Sequence, residues 1–439
     1  MTTEQLYEIF LQHPVITTDS RNCPEGSIFF ALKGDNFNGN RFAAAALEKG
    51  CAYAVVDEGS EESGVRSEDF SGRIILVEDV LSTLQQLAHI HREHFEGPVL
   101  QITGTNGKTT TKELVSAVLA QKYRVLYTQG NLNNHIGVPK TLLRLTKDHD
   151  IAVIETGANH PGEIAALCEI AQPDHGLITS VGKAHLEGFG SFQGVVQTKT
   201  ELYRYLDSHA GTIFVNSDNK TLADESRKVP HATIITYGSG DEADTTAHFI
   251  SADPYLTFYT EAGAGVYSVK THLFGSYNFA NAAAALAVGR HFKIDPYEIK
   301  QALEQYIPDN NRSQIKQTSR NKLLLDCYNA NPTSMEAALR SFADIEATHR
   351  VVILGAMKEL GQESAAEHRR ILELTLSLPF EQILLVGQEF DFAATLPRIQ
   401  WFPDSQSAKR ALQSRPLSDC TVLLKGSNST RMWQLEEVL

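Results

Sequence analysis

The segment VLQITGTNGKTT, Val99 to Thr110, constrains the chain more than any other. A short apolar strand runs into a glycine loop and a Lys-Thr pair, and a helix-forming stretch follows from Thr111. In that order backbone N–H groups and a helix N-terminus can cradle phosphate oxygens, Lys108 adds a point charge, and Thr109 can reach a magnesium ion. The spacing departs from the common GxxxxGK[ST] pattern, because Ile102 stands where the first glycine is usual. Nucleotide triphosphate binding is the expectation.

The flanking pattern supplies a sheet for such a loop. From Val99 onward short apolar runs alternate with helical stretches: Arg124 to Tyr127, Ile151 to Ile154, Gly176 to Ser180, Thr212 to Val215 and Thr233 to Thr236. Regular alternation of this kind predicts a mostly parallel sheet with helices on both faces. Ala247 to Phe274 reads instead as paired strands around a turn at Glu261 to Gly265, and the alanine-rich Asn278 to Gly289 as a buried helix. Before Gly97-Pro98, the runs Ser27 to Leu32, Ala52 to Val56 and Ile74 to Val77, with a helix over Arg41 to Lys49, form a small α/β unit. After the turn-forming Pro-Asp-Asn-Asn at 308 to 311, strands recur at Leu323 to Asp326, Val351 to Leu354, Gln382 to Val386 and Thr421 to Leu424. A chain of 439 residues, at roughly 150 per domain, is thus read as three α/β domains: 1–96, 97–311 and 312–439.

Composition narrows the class. Hydrophobic residues at 42% and charged residues at 21% fit an ordinary globular protein. A net charge of −14 disfavours nucleic acid and anionic lipid, so an anion must be captured locally. The five scattered cysteines, without a CxxC pair, suggest neither a disulfide framework nor a thiolate zinc site, which fits a reducing cytosol. No apolar run approaches the ~18 residues of a membrane span, and the first residues do not read as a secretion signal. Cytoplasmic localisation without membrane insertion follows.

Three side chains stand near the expected carboxyl edge of the sheet. Glu155 ends a strand where a carboxylate could complete magnesium coordination opposite Thr109, or could simply open a solvated loop. His185, in VGKAHLEGFGS, reads alone as a loop histidine, since Mg²⁺ prefers oxygen. Lys199, in VVQTKTEL, reads alone as an ordinary helix lysine.

Taken in order, GTNGKTT, GNLNNHIGVP (130–139), ETGANHPGEI (155–164), AHLEGFGS (184–191), DCYNANPTSM (326–335) and KGS (425–427) resemble the Mur ligases. These enzymes extend the peptide of the cell-wall precursor by ATP-driven amide bond formation. The resemblance covers nearly the whole chain and is nearest to the branch that adds the terminal D-alanyl-D-alanine. DSRNCPEGSIFFALKGDNFNGN, Asp19 to Asn40, is similar to the uridine-diphosphate-sugar recognition domain of that branch and of the preceding ligase, which adds the third residue.

The resemblance implies a small N-terminal UDP-binding α/β domain, a central P-loop ATPase domain and a C-terminal Rossmann-like domain, in a monomer. It implies ATP held by Gly104, Thr105, Asn106, Gly107, Lys108, Thr109 and Thr110, with Asn278 and Asn281 near the adenine, Asp326 on the ribose and Arg312 at the γ-phosphate. Two Mg²⁺ ions are implied, one on Thr109 and Glu155, the other served by His185 and by Lys199 carbamylated with CO₂. Lys108, Lys199, His185 and Arg312 would carry the catalysis. Ser20, Arg21, the loop Gly34 to Asn40 with Asn38, and Asn133 and Asn134 would bind UDP-N-acetylmuramoyl-tripeptide, which D-alanyl-D-alanine joins; Ser20 and Arg21 also read as a capped loop.

The chain departs from the family pattern at Tyr277, where histidine is usual, and at Ala356, where aspartate is common in the GAMKELG stretch. Two rivals remain at this level. A folylpolyglutamate-type ligase normally begins close to its phosphate loop, whereas about a hundred residues precede Gly104 here. A nucleotide-dependent switch of the GTPase kind would want Asn-Lys-x-Asp, but Asn219-Lys220 is followed by Thr221-Leu222.

Overall fold

The computed structural model describes residues 1–34, 37–58, 72–263, 265–347 and 349–439. Residues 35 and 36 of the Gly34–Asn40 loop and Ala264 of the expected 261–265 turn lie outside the described residues. The chain forms two compact units, one of residues 1–102, 123–158 and 162–176, the other of residues 103–122, 159–161 and 177–439.

In the first unit the strands Ile16–Thr17, Ile28–Phe30, Tyr53–Val56 and Ile74–Leu76 form a parallel sheet. The expected helix over 41–49 is shorter: Gly39–Phe42 is a 3-10 turn, and the helix proper is Ala43–Glu48. Asn38 causes the difference, because its side chain caps that turn by accepting the N–H of Asn40 at 3.0 Å. A second parallel set joins Val99–Thr103 to Ile151–Glu155, with Ile102 opposite Glu155, and Ile151–Glu155 to Val125–Tyr127. The strands 99–103 and 151–155 are buried at every position, the polar Gln101, Thr103 and Glu155 included.

The larger of two apolar clusters among the described residues of this unit reaches from its first helices to residue 171. Leu6 and Phe10 of the helix Thr3–Gln12 and Val80, Leu84 and Leu87 of the helix Val80–Glu93 pack with Leu142, Ile154 and Leu167. Both helices start on side-chain caps, Thr2 with Gln5 in a reciprocal box and Asp79 on the N–H of Ser82.

In the second unit Thr212–Asn216, Thr233–Gly238 and Thr245–Thr246 pair in parallel, and His248–Ser251, Thr257–Ala262 and Gly265–Lys270 form an antiparallel sheet. The helix Phe279–His291 is buried over most of its length, as its alanine run predicts. A six-stranded sheet follows in the order Gln314–Gln317, Lys322–Asp326, Thr421–Lys425, Arg350–Gly355, Gln382–Val386, Ile399–Phe402; all but the first strand run parallel. Its carboxyl edge carries Asp326, Lys425 and the turns after Gly355 and Val386. Among the described residues no helix is long and apolar enough to cross a membrane.

Candidate active site

The phosphate loop is built by two glycines that cannot be replaced. Gly104 has φ 141° and Gly107 φ 82°, both in the region that favours glycine. A Cβ on Gly104 would lie 2.1 Å from Thr179 Oγ1, and one on Gly107 2.4 Å from Asn281 Oδ1. Gly107 opens the helix Lys108–Leu119, whose first-turn N–H groups lack partners within the helix and face a bound anion naturally. The loop is tied down from behind: Thr105 N–H donates to Ser180 O (2.8 Å), Asn106 N–H to Ser180 Oγ (3.0 Å), and Thr179 Oγ1 to Asn106 O (2.6 Å). Lys108 Nζ curls over it, donating to the carbonyls of Gly104 (2.8 Å) and Thr105 (3.2 Å). Thr109 and Thr110, in the first turn of that helix, are buried.

A buried polar chain runs from this loop to the third domain. Thr111 Oγ1 donates to Asn281 Oδ1 (3.1 Å), Asn281 Nδ2 to Asn278 Oδ1 (2.8 Å), and Asn278 Nδ2 to Ser313 Oγ (2.8 Å). Ser313 Oγ lies 3.1 Å from Tyr277 Oη, and the Ser313 N–H donates to Asp326 Oδ1 (3.3 Å). Lys425 Nζ closes the chain on Asp326 Oδ2 at 2.6 Å. Asn278 and Asn281 thus brace the loop from below with protein partners on both amides. Tyr277, the departure from the family's histidine, is a link in this chain; burial first and the Asp326 charge second hold its phenol well above the ordinary tyrosine range, so it stays a neutral hydroxyl. Ala356 is fully buried against Gly387.

Arg312 lies beside Ser313, between two residues of positive φ, Asn311 (56°) and Ser313 (50°). Its guanidinium carbon stacks 3.7 Å from the centre of the Tyr328 ring, and its Nε is buried without a hydrogen-bond partner among the described residues. A cation so placed has donor capacity left for an anion.

Glu155 answers the question the sequence left open. It is 1% exposed, one carboxylate oxygen accepts from Asn133 Nδ2 at 2.8 Å, and Oε2 has no hydrogen-bond partner among the described residues. A buried carboxylate oxygen left bare is costly, and a hard divalent cation is the partner that would satisfy it. His185 (φ 49°) and Lys199 face the same aromatic ring, His185 edge-on to Phe189 at 6.2 Å between centroids and Lys199 Nζ 5.4 Å above it. Lys199 is only 2% exposed, so the reading of an ordinary surface lysine fails. His185 Nδ1 meets Glu359 Oε2 at 2.5 Å, a contact no sequence pattern announced.

The expected substrate-binding residues are mixed. Arg21, 88% exposed at its side chain, forks onto Asp19 through Nε and Nη2, both at 2.9 Å, and this pair draws the Asp19 carboxyl down to about 2. The Ser20 carbonyl accepts Lys49 Nζ at 2.7 Å. Asn38 donates to both Glu58 oxygens (3.1 and 3.0 Å) besides its capping bond. Asn133 braces Glu155, and Asn134 Oδ1 accepts the N–H groups of Ile136 (3.2 Å) and Gly137 (2.9 Å) in the turn before the helix Gly137–Leu142. Sequence reasoning missed Ser180, Ser313 and Glu359, and gave Lys425 no role although KGS was conspicuous.

Three family models cover most of the chain: the Mur ligase family catalytic domain over residues 14–92, the Mur ligase middle domain over 102–289, and the Mur ligase glutamate ligase domain over 311–428. The UDP-N-acetylmuramoyl-tripeptide--D-alanyl-D-alanine ligase of Escherichia coli K12 is 35% identical, across 97% of this chain and 93% of that one. Among solved structures, MurF from Acinetobacter baumannii superposes with a TM-score of 0.88 at 31% identity, over 99% of this chain and 98% of the other. MurF from Thermotoga maritima in complex with ADP gives a TM-score of 0.84 at 27% identity, over 98% and 97%. The braced phosphate loop, the bare buried carboxylate and these full-length likenesses agree, and the chain belongs to the Mur ligase family.

Proposed function

We propose that this chain is the ATP-dependent ligase that joins D-alanyl-D-alanine to UDP-N-acetylmuramoyl-tripeptide in cytoplasmic peptidoglycan precursor synthesis. The observation that carries the nucleotide half of the reading is the unpartnered Oε2 of the buried Glu155, in a chain whose phosphate loop is already braced. The acceptor half rests on the full-length likeness to ligases of that name. In the assignment the family pattern supports, Thr109 and Glu155 hold one Mg²⁺, and His185 with a carbamylated Lys199 serve a second. The buried Lys199 and its neighbour His185 around Phe189 support that pairing. When bound, the ions neutralise charge on the phosphates.

The chain's own groups do the rest. The first-turn N–H groups at 108–110 and Lys108 hold the β- and γ-phosphates in place, and the terminal carboxylate of the tripeptide attacks the γ-phosphorus. ADP leaves and an acyl phosphate remains; the dipeptide amine then attacks that carbonyl and expels phosphate. Both steps place negative charge where Lys108 and Arg312 offer donors. Boundaries at 97 and 312, with UDP recognition in 1–96 around Ser20, Arg21 and Asn38, belong to the same proposal. The test is ADP release and product mass with a panel of UDP-muramoyl peptides and dipeptides. Turnover that requires both a muramoyl-tripeptide and D-alanyl-D-alanine is expected, and ATP hydrolysis indifferent to either refutes it.

A further inference from the structure

Two strained segments of the second unit meet at one contact. His185 follows the strand His175–Ile178, and Glu359 follows the strand Arg350–Gly355; both residues hold positive φ, 49° and 64°, which their Cβ atoms disfavour. They are joined by a 2.5 Å approach of Glu359 Oε2 to His185 Nδ1. A neighbouring contact holds the two segments together: Lys183 Nζ donates to Glu367 Oε1 at 2.9 Å. The loop bearing Glu359 is pinned in turn by the Met357 N–H, which donates to the buried His368 Nε2 at 3.0 Å.

The energetic value of the pair is not what keeps it. The two side chains are 27% and 56% exposed, and exposed ion pairs contribute little to stability. What the contact does fix is the histidine's chemistry. A carboxylate on Nδ1 holds the ring proton there and leaves the Nε2 lone pair bare, which is the form in which imidazole binds a cation. Carboxylates in this position also set the ring's orientation in metal sites generally. Resting on the reading of His185 as an ion-site residue, we propose that Glu359, reaching from the third domain, is a positioning residue that selects the Nδ1-protonated tautomer of His185 and aims Nε2 at a divalent cation.

Two measurements on the full chain test this. In ¹⁵N-histidine-labelled protein without metal, with His185 assigned by difference from His185→Gln, the wild type is expected to show the neutral Nδ1–H tautomer and Glu359→Ala a mixture of the two. With β,γ-methylene-ATP present, Mn²⁺ titrated by its free-ion EPR signal should bind Glu359→Ala about 10-fold or more weakly. Glu359→Gln, which keeps an acceptor oxygen, should retain the tautomer and most of the affinity. A wild-type His185 protonated at Nε2, or native Mn²⁺ affinity in Glu359→Ala while His185→Ala is weakened, overturns the positioning role alone. Native affinity in His185→Ala removes the ion-site reading of His185 and this inference with it.

Discussion

Lys108 is oriented by the loop it serves, since the Gly104 and Thr105 carbonyls accept its ammonium. Lys108→Ala should leave the melting curve unchanged and lower turnover at least ~100-fold, because one preorganised donor to developing charge is typically worth roughly 3 to 4 kcal/mol; near-normal ADP release would remove it from the catalytic set. Lys199 is the reverse case, a residue whose sequence context says surface and whose position is buried beside Phe189. The helix Phe192–Lys199 has too weak an apolar stripe for its last residue to be assigned to the interior by spacing. Lys199→Ala should be nearly inactive and regain part of its rate with short-chain carboxylates that fill the vacated space. Lys199→Arg should not respond to them, since it keeps a permanent charge; full activity of the alanine variant in bicarbonate-free buffer would end the carbamate proposal. Asparagines were the least legible residues: Asn38, Asn134, Asn278 and Asn281 sit in motifs that suggest ligand contact, yet each also bonds to the protein's own turns or side chains. A side chain that both donates and accepts serves a turn as readily as a nucleotide, and spacing alone does not say which.

At the scale of elements, the parallel strands were legible because runs such as Ile151 to Ile154 are apolar throughout, while Gln314–Gln317, a polar edge strand with one isoleucine, carries no such run. The polar chain that leads to it carries Tyr277 as a branch on Ser313. Tyr277→Phe should keep the fold but lower stability by about 1 kcal/mol, the ordinary worth of a buried hydroxyl hydrogen bond, read as a lower denaturation midpoint at unchanged slope. Equal midpoints would show that Ser313 is held without it. The loop at 355–361 makes a pH prediction. Burial pushes His368 below its ordinary value of 6.5, and the same holds for His91 in the first unit. The unfolded chain therefore takes up these protons at higher pH than the folded one, so stability is full above about 6.5 and falls as pH drops below it. Protonating His368 would also turn its Nε2 acceptor into a second donor facing the Met357 N–H. The melting temperature should decline from pH 7 to 5.5, less steeply in His368→Gln, where one of the groups lowered by burial (His91, His291 and His368) is gone; identical slopes would refute the assignment.

At the scale of the whole molecule, the composition break at Gly97 marks a change of pattern but not a gap in packing. Leu6, Phe10, Leu84 and Leu87 share one apolar cluster with Leu142, Ile154 and Leu167. A chain shortened to residues 97–439 would uncover that face, so it should bind a hydrophobic dye and aggregate rather than persist as a folded ATP-binding remainder; a soluble, cooperatively melting product would contradict this. Periodicity reveals which side of a helix is apolar, not which distant segment covers it. The shared cluster also bears on synthesis. The helices Thr3–Gln12 and Val80–Glu93 emerge from the ribosome well before the residues up to Ala171 that complete their cover. At about 5–20 residues per second, the roughly 75 residues from 97 to 171 take about 4–15 s to translate. During that interval the nascent chain presents an apolar helical face to the cell, and a holding chaperone has that long to find it.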